Sequence, residues 1–187
     1  MQIILDEKSK ASIIEKAVNT LKKGGVIVYP SDTVYGIAVD GTNMQATARL
    51  DQLKGRRLDQ KYSYNVPSIE MIKKYHDLSA DQEKILRKYL PGPFTFILSP
   101  DFSVRIPKNC IIAEIAQAFG KPVTATSANR TGEKPATSTK SLSAQIYLAA
   151  DLIIEKTDFD PHKPSTLVDI SSKPYRVLRE GELPFKD

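Results

Sequence analysis

Apolar positions along this chain follow two spacings, and the switches between them divide it into elements. Ile13, Ile14, Ala17, Val18 and Leu21 recur at helical spacing, which predicts an amphipathic helix over Ser9 to Lys23. Gly24-Gly25 closes it, because glycine takes the left-handed backbone that a helix C-terminus needs. Ile3 to Leu5 is a short run of strand type, and Val26 to Tyr29 is a longer one stopped by Pro30. Residues 44 to 53 predict a weaker helix leading into Lys54, and the alternation over Tyr62 to Val66 predicts a strand. Ile69 to Tyr75 and Asp81 to Tyr89 predict helices, and Pro91-Gly92-Pro93 a sharp turn into a strand over Phe94 to Leu98. A helix over Ile111 to Phe119, a strand over Pro122 to Ala125 and a polar surface loop over 130 to 140 come next. A helix from a Ser141 cap to Ala149 follows, then strands over Leu152 to Glu155, Thr166 to Ile170 and Tyr175 to Leu178.

Helices alternating with strands predict an α/β domain with helices packed on a twisted sheet. The closely spaced strands near the C-terminus predict antiparallel pairs, so the sheet is expected to be mixed. No internal repeat and no compositional break divides the chain, so one domain over 1–187 is expected.

Composition narrows the picture only slightly. Apolar residues make up 41% and charged residues 26%, as in ordinary globular proteins. No run of eighteen apolar residues exists, so no membrane span is expected. The single cysteine, Cys110, excludes an internal disulfide, fits a reducing cytoplasm and reads as a small core filler. A net charge of +5 favours anionic partners, and equally fits a basic surface with no particular partner.

Candidate chemistry changes the picture more. There is no Walker-type loop and no Gly-x-Gly-x-x-Gly. His76 and His162 lack companions at ligand spacing, so no metal site is expected. No nucleophile stands beside a base, which leaves positioning and electrostatics as the means of catalysis. Four cations, Lys54, Arg56, Arg105 and Arg179, fall at element ends. Each alone also fits a solvated terminus. Arg105, between apolar neighbours, is an odd place for a charge without a partner. Ser31-Asp32-Thr33 and Ser127-Ala128-Asn129 directly follow apolar strands, where open α/β sheets bind ligands. Together these groups predict one pocket for an anionic ligand.

In order along nearly the whole chain, the motifs resemble a known family. Tyr29-Pro30-Ser31-Asp32-Thr33-Val34-Tyr35-Gly36 resembles the N-terminal signature of the YrdC-like (YrdC/YciO) threonylcarbamoyl-AMP synthases. Lys54, Arg56, Ser127 and Asn129 match the family's Lys-x-Arg and Ser-x-Asn tetrad. Pro91-Gly92-Pro93-Phe94-Thr95, Val104-Arg105-Ile106-Pro107, Pro164-Ser165-Thr166 and Leu178-Arg179-Glu180-Gly181 complete the likeness, which is to the short, single-domain members. It implies a YrdC-like twisted mixed sheet with flanking helices and a basic concave surface. It implies synthesis of L-threonylcarbamoyl-adenylate and pyrophosphate from L-threonine, bicarbonate and ATP, with magnesium carried by the ATP. The product would serve a threonylcarbamoyl-transferase complex acting on tRNA. By the same resemblance Lys54 and Arg56 are catalytic, and Thr33, Asn65, Arg105 and Ser165 bind threonine. Arg56, Gln60, Ser127, Asn129, Thr137 and Arg179 bind ATP.

The segment Arg57 to Asn65 departs from the family pattern. Gln60 stands where an ATP-contacting Asn is expected, and Asn65 where a threonine-contacting His is expected. Asn hydrogen-bonds but does not titrate near neutrality. The change leans toward the YciO-like paralogues. The alternative is therefore a nucleotide- or double-stranded-RNA-binding protein, with Tyr62 and Tyr64 stacking bases or, as the blander role, packing across strands.

Overall fold

The computed structural model describes residues 1–56 and 61–186. Its elements run β1 (Gln2–Ile4), α1 (Lys10–Lys22), β2 (Ile27–Pro30), β3 (Tyr35–Ala38), α2 (Met44–Lys54), β4 (Ser63–Asn65), α3 (Ile69–Tyr75), α4 (Ala80–Tyr89) and β5 (Phe94–Ser99). They continue with β6 (Phe102–Arg105), α5 (Ile111–Phe119), β7 (Val123–Ser127), α6 (Ala144–Ala149), β8 (Leu152–Glu155), β9 (Thr166–Asp169) and β10 (Arg176–Arg179). Among the described residues, no helix is long and apolar enough to cross a membrane.

The strands join in the order β1-β8-β2-β3-β7-β4-β6-β5-β9-β10. β1–β8, β8–β2, β4–β6 and β5–β9 run parallel, and the other neighbours antiparallel, so the sheet is mixed as expected. Three apolar clusters hold the layers together. Ile13, Ala17 and Leu21 of α1 meet Ile112, Ile115 and Ala116 of α5 over Ile27 of β2 and Leu152 and Ile154 of β8. Leu50 of α2 and Ile146 of α6 pack with Val28, Ile37 and Ile153, the alternate residues of their strands. Met71 and Ile72 of α3 and Ile85 and Leu86 of α4 cover Phe94, Phe96 and Val104. Burial of such apolar surface is the main stabilising term.

Local chemistry sets the helix ends. Asn43 caps α2 by accepting from the Gln45 and Ala46 N–H groups, and Ser79 forms a full capping box with Gln82 on α4. α6 begins later than the sequence pattern suggests. Ser143, not Ser141, is its cap, while the Ser141 hydroxyl accepts from the N–H groups of Thr137 and Ser138 and closes the short 3₁₀ turn Thr139–Ser141. Two strands lie outside the expected set: β3, which begins two residues after Ser31-Asp32-Thr33, and the four-residue β6. Pro30 is the last residue of β2 rather than a stop before it.

Candidate active site

Strand alternation builds the site. On β5, Phe94, Phe96 and Leu98 enter the core beneath α3 and α4, so Thr95, Ile97 and Ser99 face the opposite way. On β6, Val104 is in the core while Ser103 and Arg105 line the open face, and on β9 Val168 and Leu167 divide likewise. Tyr29 of β2, Gly36 of β3, Ser127 of β7, Ser63 of β4 and Arg179 of β10 extend the lining. The result is a cleft of about 510 Å³. Among the described residues its lining contains Arg56, Lys61, Arg105 and Arg179 and no acidic side chain. Such a cleft favours an anion.

Thr33 is held by its own turn. The Ser31 hydroxyl accepts from the N–H groups of Thr33 and Val34, donates to the Val34 carbonyl, and lies 3.1 Å from the Thr33 hydroxyl. Opposite, the Ser165 hydroxyl lies 2.8 Å from that of Thr95. The Arg179 guanidinium donates twice to the Ser165 carbonyl, at 3.0 and 2.9 Å. Burial and the like charge of Arg105 lower the pKa of Arg179. Two guanidinium groups held this close call for a negative partner.

Arg105 does have a partner, which the sequence did not reveal. Its Nη2 donates to Asp32 Oδ1 at 2.5 Å, and both side chains are largely buried. The buried Nε of Arg105 finds no partner among the described residues. It is a buried donor without a protein acceptor among those residues, on a side chain that lines the cleft.

Lys54 lies elsewhere than expected. It is 3% exposed and does not line the cleft. Its Nζ donates to the Ser127 and Asn129 carbonyls at 2.6 and 2.7 Å, and its own carbonyl accepts from the Thr131 N–H. Gly55, left-handed at φ 58°, ends α2 and turns the chain so that Arg56 reaches the cleft while Lys54 does not. Burial, then the like charge of Arg56, push the Lys54 pKa down to about 8, against the attraction of Glu133. Lys54 thus pins the Ser127–Asn129 loop from below.

Arg56 lies over the Tyr62 ring, 4.2 Å from its centroid, and donates to the Lys61 carbonyl. Tyr62 is buried with its hydroxyl on Asp51, and Tyr64 stacks on Phe102. Both rings are thus engaged in packing. Asn129 sits at the loop with its buried Oδ1 unpartnered among the described residues, while its Nδ2 donates to the Arg130 and Glu133 carbonyls. Thr137 is exposed and outside the lining. Gln60 lies outside the described residues.

Asn65 is buried behind the cleft rather than in its lining. Its Nδ2 donates to the Tyr29 hydroxyl at 2.9 Å and to the Thr124 carbonyl at 3.3 Å. Tyr29 itself lines the cleft and was missed as a site residue. The only sequence signal for it is that it precedes Pro30-Ser31-Asp32. Gly36 makes room for it: a Cβ there would stand 2.4 Å from Tyr29 Cζ. Gly36→Ala is therefore expected to lower stability by about 1–3 kcal/mol through overpacking. A urea unfolding curve checks this, and a midpoint equal to that of the unaltered protein would contradict the packing described.

Comparison with known proteins adds a family. The Sua5–YciO–YrdC family model, described as Telomere recombination, matches residues 19–181. A threonylcarbamoyl-AMP synthase of Vibrio campbellii is 29% identical over 183 residues, covering 89% of this chain and 98% of its own length. The crystal structure of P. abyssi Sua5 complexed with L-threonine is similar with a TM-score of 0.87 at 23% identity, over 98% of this chain and 58% of that one. E. coli YciO is similar with a TM-score of 0.82 at 24% identity, over 97% of this chain and 94% of that one. The chain thus spans 58% of the length of the P. abyssi protein. At these identities the two structures speak for the fold alone.

Proposed function

Because this chain belongs to the Sua5–YciO–YrdC family, we propose that it is an L-threonylcarbamoyladenylate synthase, a nucleotidyltransferase acting on L-threonine, bicarbonate and ATP. The observation that carries this reading is the cleft, lined by Arg56, Lys61, Arg105 and Arg179 with no acidic side chain among the described lining residues. The synthase name of the Vibrio relative supports it.

In this reading Arg105 takes the threonine carboxylate, with Thr33 and Ser165 supplying hydroxyls from the same lining. Arg56, Ser127, Asn129 and Arg179 take the nucleotide. Bicarbonate gains a proton and loses water to give carbon dioxide; the threonine amine attacks that carbon, loses a proton and becomes a carbamate. A carbamate oxygen then attacks the α-phosphorus, and pyrophosphate leaves. Negative charge grows on phosphate oxygens in that step, and the guanidinium groups stabilise it. Magnesium would travel with the ATP phosphates, since it keeps most of its ligands from water and phosphate. The product would pass to a threonylcarbamoyl-transferase complex that modifies tRNA.

The test is pyrophosphate release from ATP and bicarbonate, with and without L-threonine. Release that needs threonine is expected, and Arg56→Ala is expected to slow it about a hundredfold. Release independent of threonine, or none at all, would sink the reading.

A further inference from the structure

We propose that the Tyr29 hydroxyl is the hydrogen-bond donor that reads the side-chain oxygen of the amino-acid substrate, and that Asn65 is a positioning residue that fixes its proton in that direction. This rests on the synthase reading above.

The logic follows donors and acceptors. The Thr124 carbonyl can only accept, so the amide of Asn65 must turn its Nδ2 toward it. That same Nδ2 then donates to the Tyr29 oxygen. The Tyr29 hydroxyl is an acceptor on the Asn65 side, so its own proton remains to be given elsewhere. No protein acceptor for that proton occurs among the described residues, and Tyr29 borders the cleft. Burial raises its pKa, so the proton stays in place.

Two further observations fix where the donor points. Gly36 carries no Cβ and lies against the Tyr29 ring tip, so the hydroxyl has one seat only. Asn65 is the strand partner of Arg105 across β4 and β6, which sets the Tyr29–Asn65 pair beside the guanidinium. A small amino acid with its carboxylate on Arg105 therefore presents its side chain toward Tyr29. An oxygen on the β-carbon, as in threonine, suits a donor there, while an apolar side chain leaves the donor without a partner. Asn65 thus contributes through Tyr29 and does not itself touch the substrate.

The experiment compares L-threonine with L-2-aminobutyrate, which lacks the hydroxyl, by calorimetric titration and by KM in the pyrophosphate assay. The protein as it stands should favour threonine. Tyr29→Phe should weaken threonine about tenfold, leave 2-aminobutyrate within twofold, and leave ATP affinity and kcat nearly unchanged. Asn65→Asp should do the same, because its carboxylate would take the Tyr29 proton and turn it from the cleft. The double variant should be no worse than either single one. Asn65→His, whose ring N–H restores a donor toward Tyr29, should recover part of the preference. Equal losses for both amino acids, or additive losses in the double variant, would overturn the inference while leaving the synthase reading intact. Failure of the unaltered protein to bind threonine would overturn both.

Discussion

Arg105→Ala is expected to cut threonine-dependent turnover about ten- to a hundredfold while also destabilising the fold. The two effects share a cause. Arg105 holds Asp32 at 2.5 Å, with the two side chains only 12% and 15% exposed. Removing the guanidinium strips the substrate carboxylate of a charge-assisted partner, a loss of about 1.5–3 kcal/mol. It also strands the Asp32 carboxylate. A fully buried pair broken from one side costs about 3–5 kcal/mol, and the residual exposure here reduces that to about 2 kcal/mol. The double change Arg105→Ala with Asp32→Ala separates the effects. It should recover most of the stability in a urea titration, because no orphaned charge remains, yet none of the turnover. Recovery of turnover would mean that Arg105 serves the fold alone.

Lys54 yields a prediction in which stability and ligand binding move in opposite directions with pH. Its pKa is about 8 in the folded protein and near the ordinary 10.5 when unfolded. Between those values the unfolded chain holds a proton there that the folded chain has released. Stability rises with pH wherever the unfolded state binds more protons, so the Lys54 contribution grows from pH 8 to pH 10.5. Over the same range the cleft loses the positive charge beneath Ser127 and Asn129, and ATP binding weakens. Burial sets this shift first, with the like charge of Arg56 adding to it and Glu133 opposing it. The readout is the unfolding free energy of the protein minus that of Lys54→Met, taken at pH 7.5, 8.5 and 9.5. That difference should increase, while the ATP dissociation constant of the unaltered protein climbs and that of Lys54→Met stays flat. At pH 7.5 Lys54→Met should still bind ATP several-fold less tightly, because two loop carbonyls have lost their donor. A difference that shrinks as pH rises would show that the ammonium is not buried as described.

Sequence patterning carries the fold wherever an element buries one face. α1, α3, α5 and β8 fall within a residue of their expected bounds, because Ile13-Ala17-Leu21 and Ile112-Ile115-Ala116 announce a helical stripe and Leu152 to Ile154 a buried strand. β3 and β6 escape notice for a physical reason. Tyr35 to Ala38 follows a serine turn with no break in polarity, and Phe102 to Arg105 offers a single alternation between two prolines. The site divides along the same line. Arg56, Arg105, Ser127, Ser165 and Arg179 reach one cleft as their motifs suggested, since each stands at a strand or helix end. Burial is what a motif does not state. The same Lys-Gly-Arg that sends Arg56 into the cleft sends Lys54 beneath it, and only the left-handed turn at Gly55 decides which. Tyr29 stayed hidden because a tyrosine ending an apolar strand is indistinguishable from a core residue until its hydroxyl partner is known.

The strand order also governs how the chain comes off the ribosome. β7 inserts between β3 and β4, and β8 between β1 and β2, although both are made after residue 120. Until then the N-terminal strands wait with open edges: β1 has no neighbour, the β2–β3 hairpin is bare on both sides, and β4 can reach only β6. Open strand edges invite pairing with other chains. A nascent chain paused near residue 120 therefore exposes more unpaired strand edges than the finished sheet does. Translation through residues 123–155 delivers the two strands that pair with β1, β2, β3 and β4, and β9 then covers the remaining edge of β5.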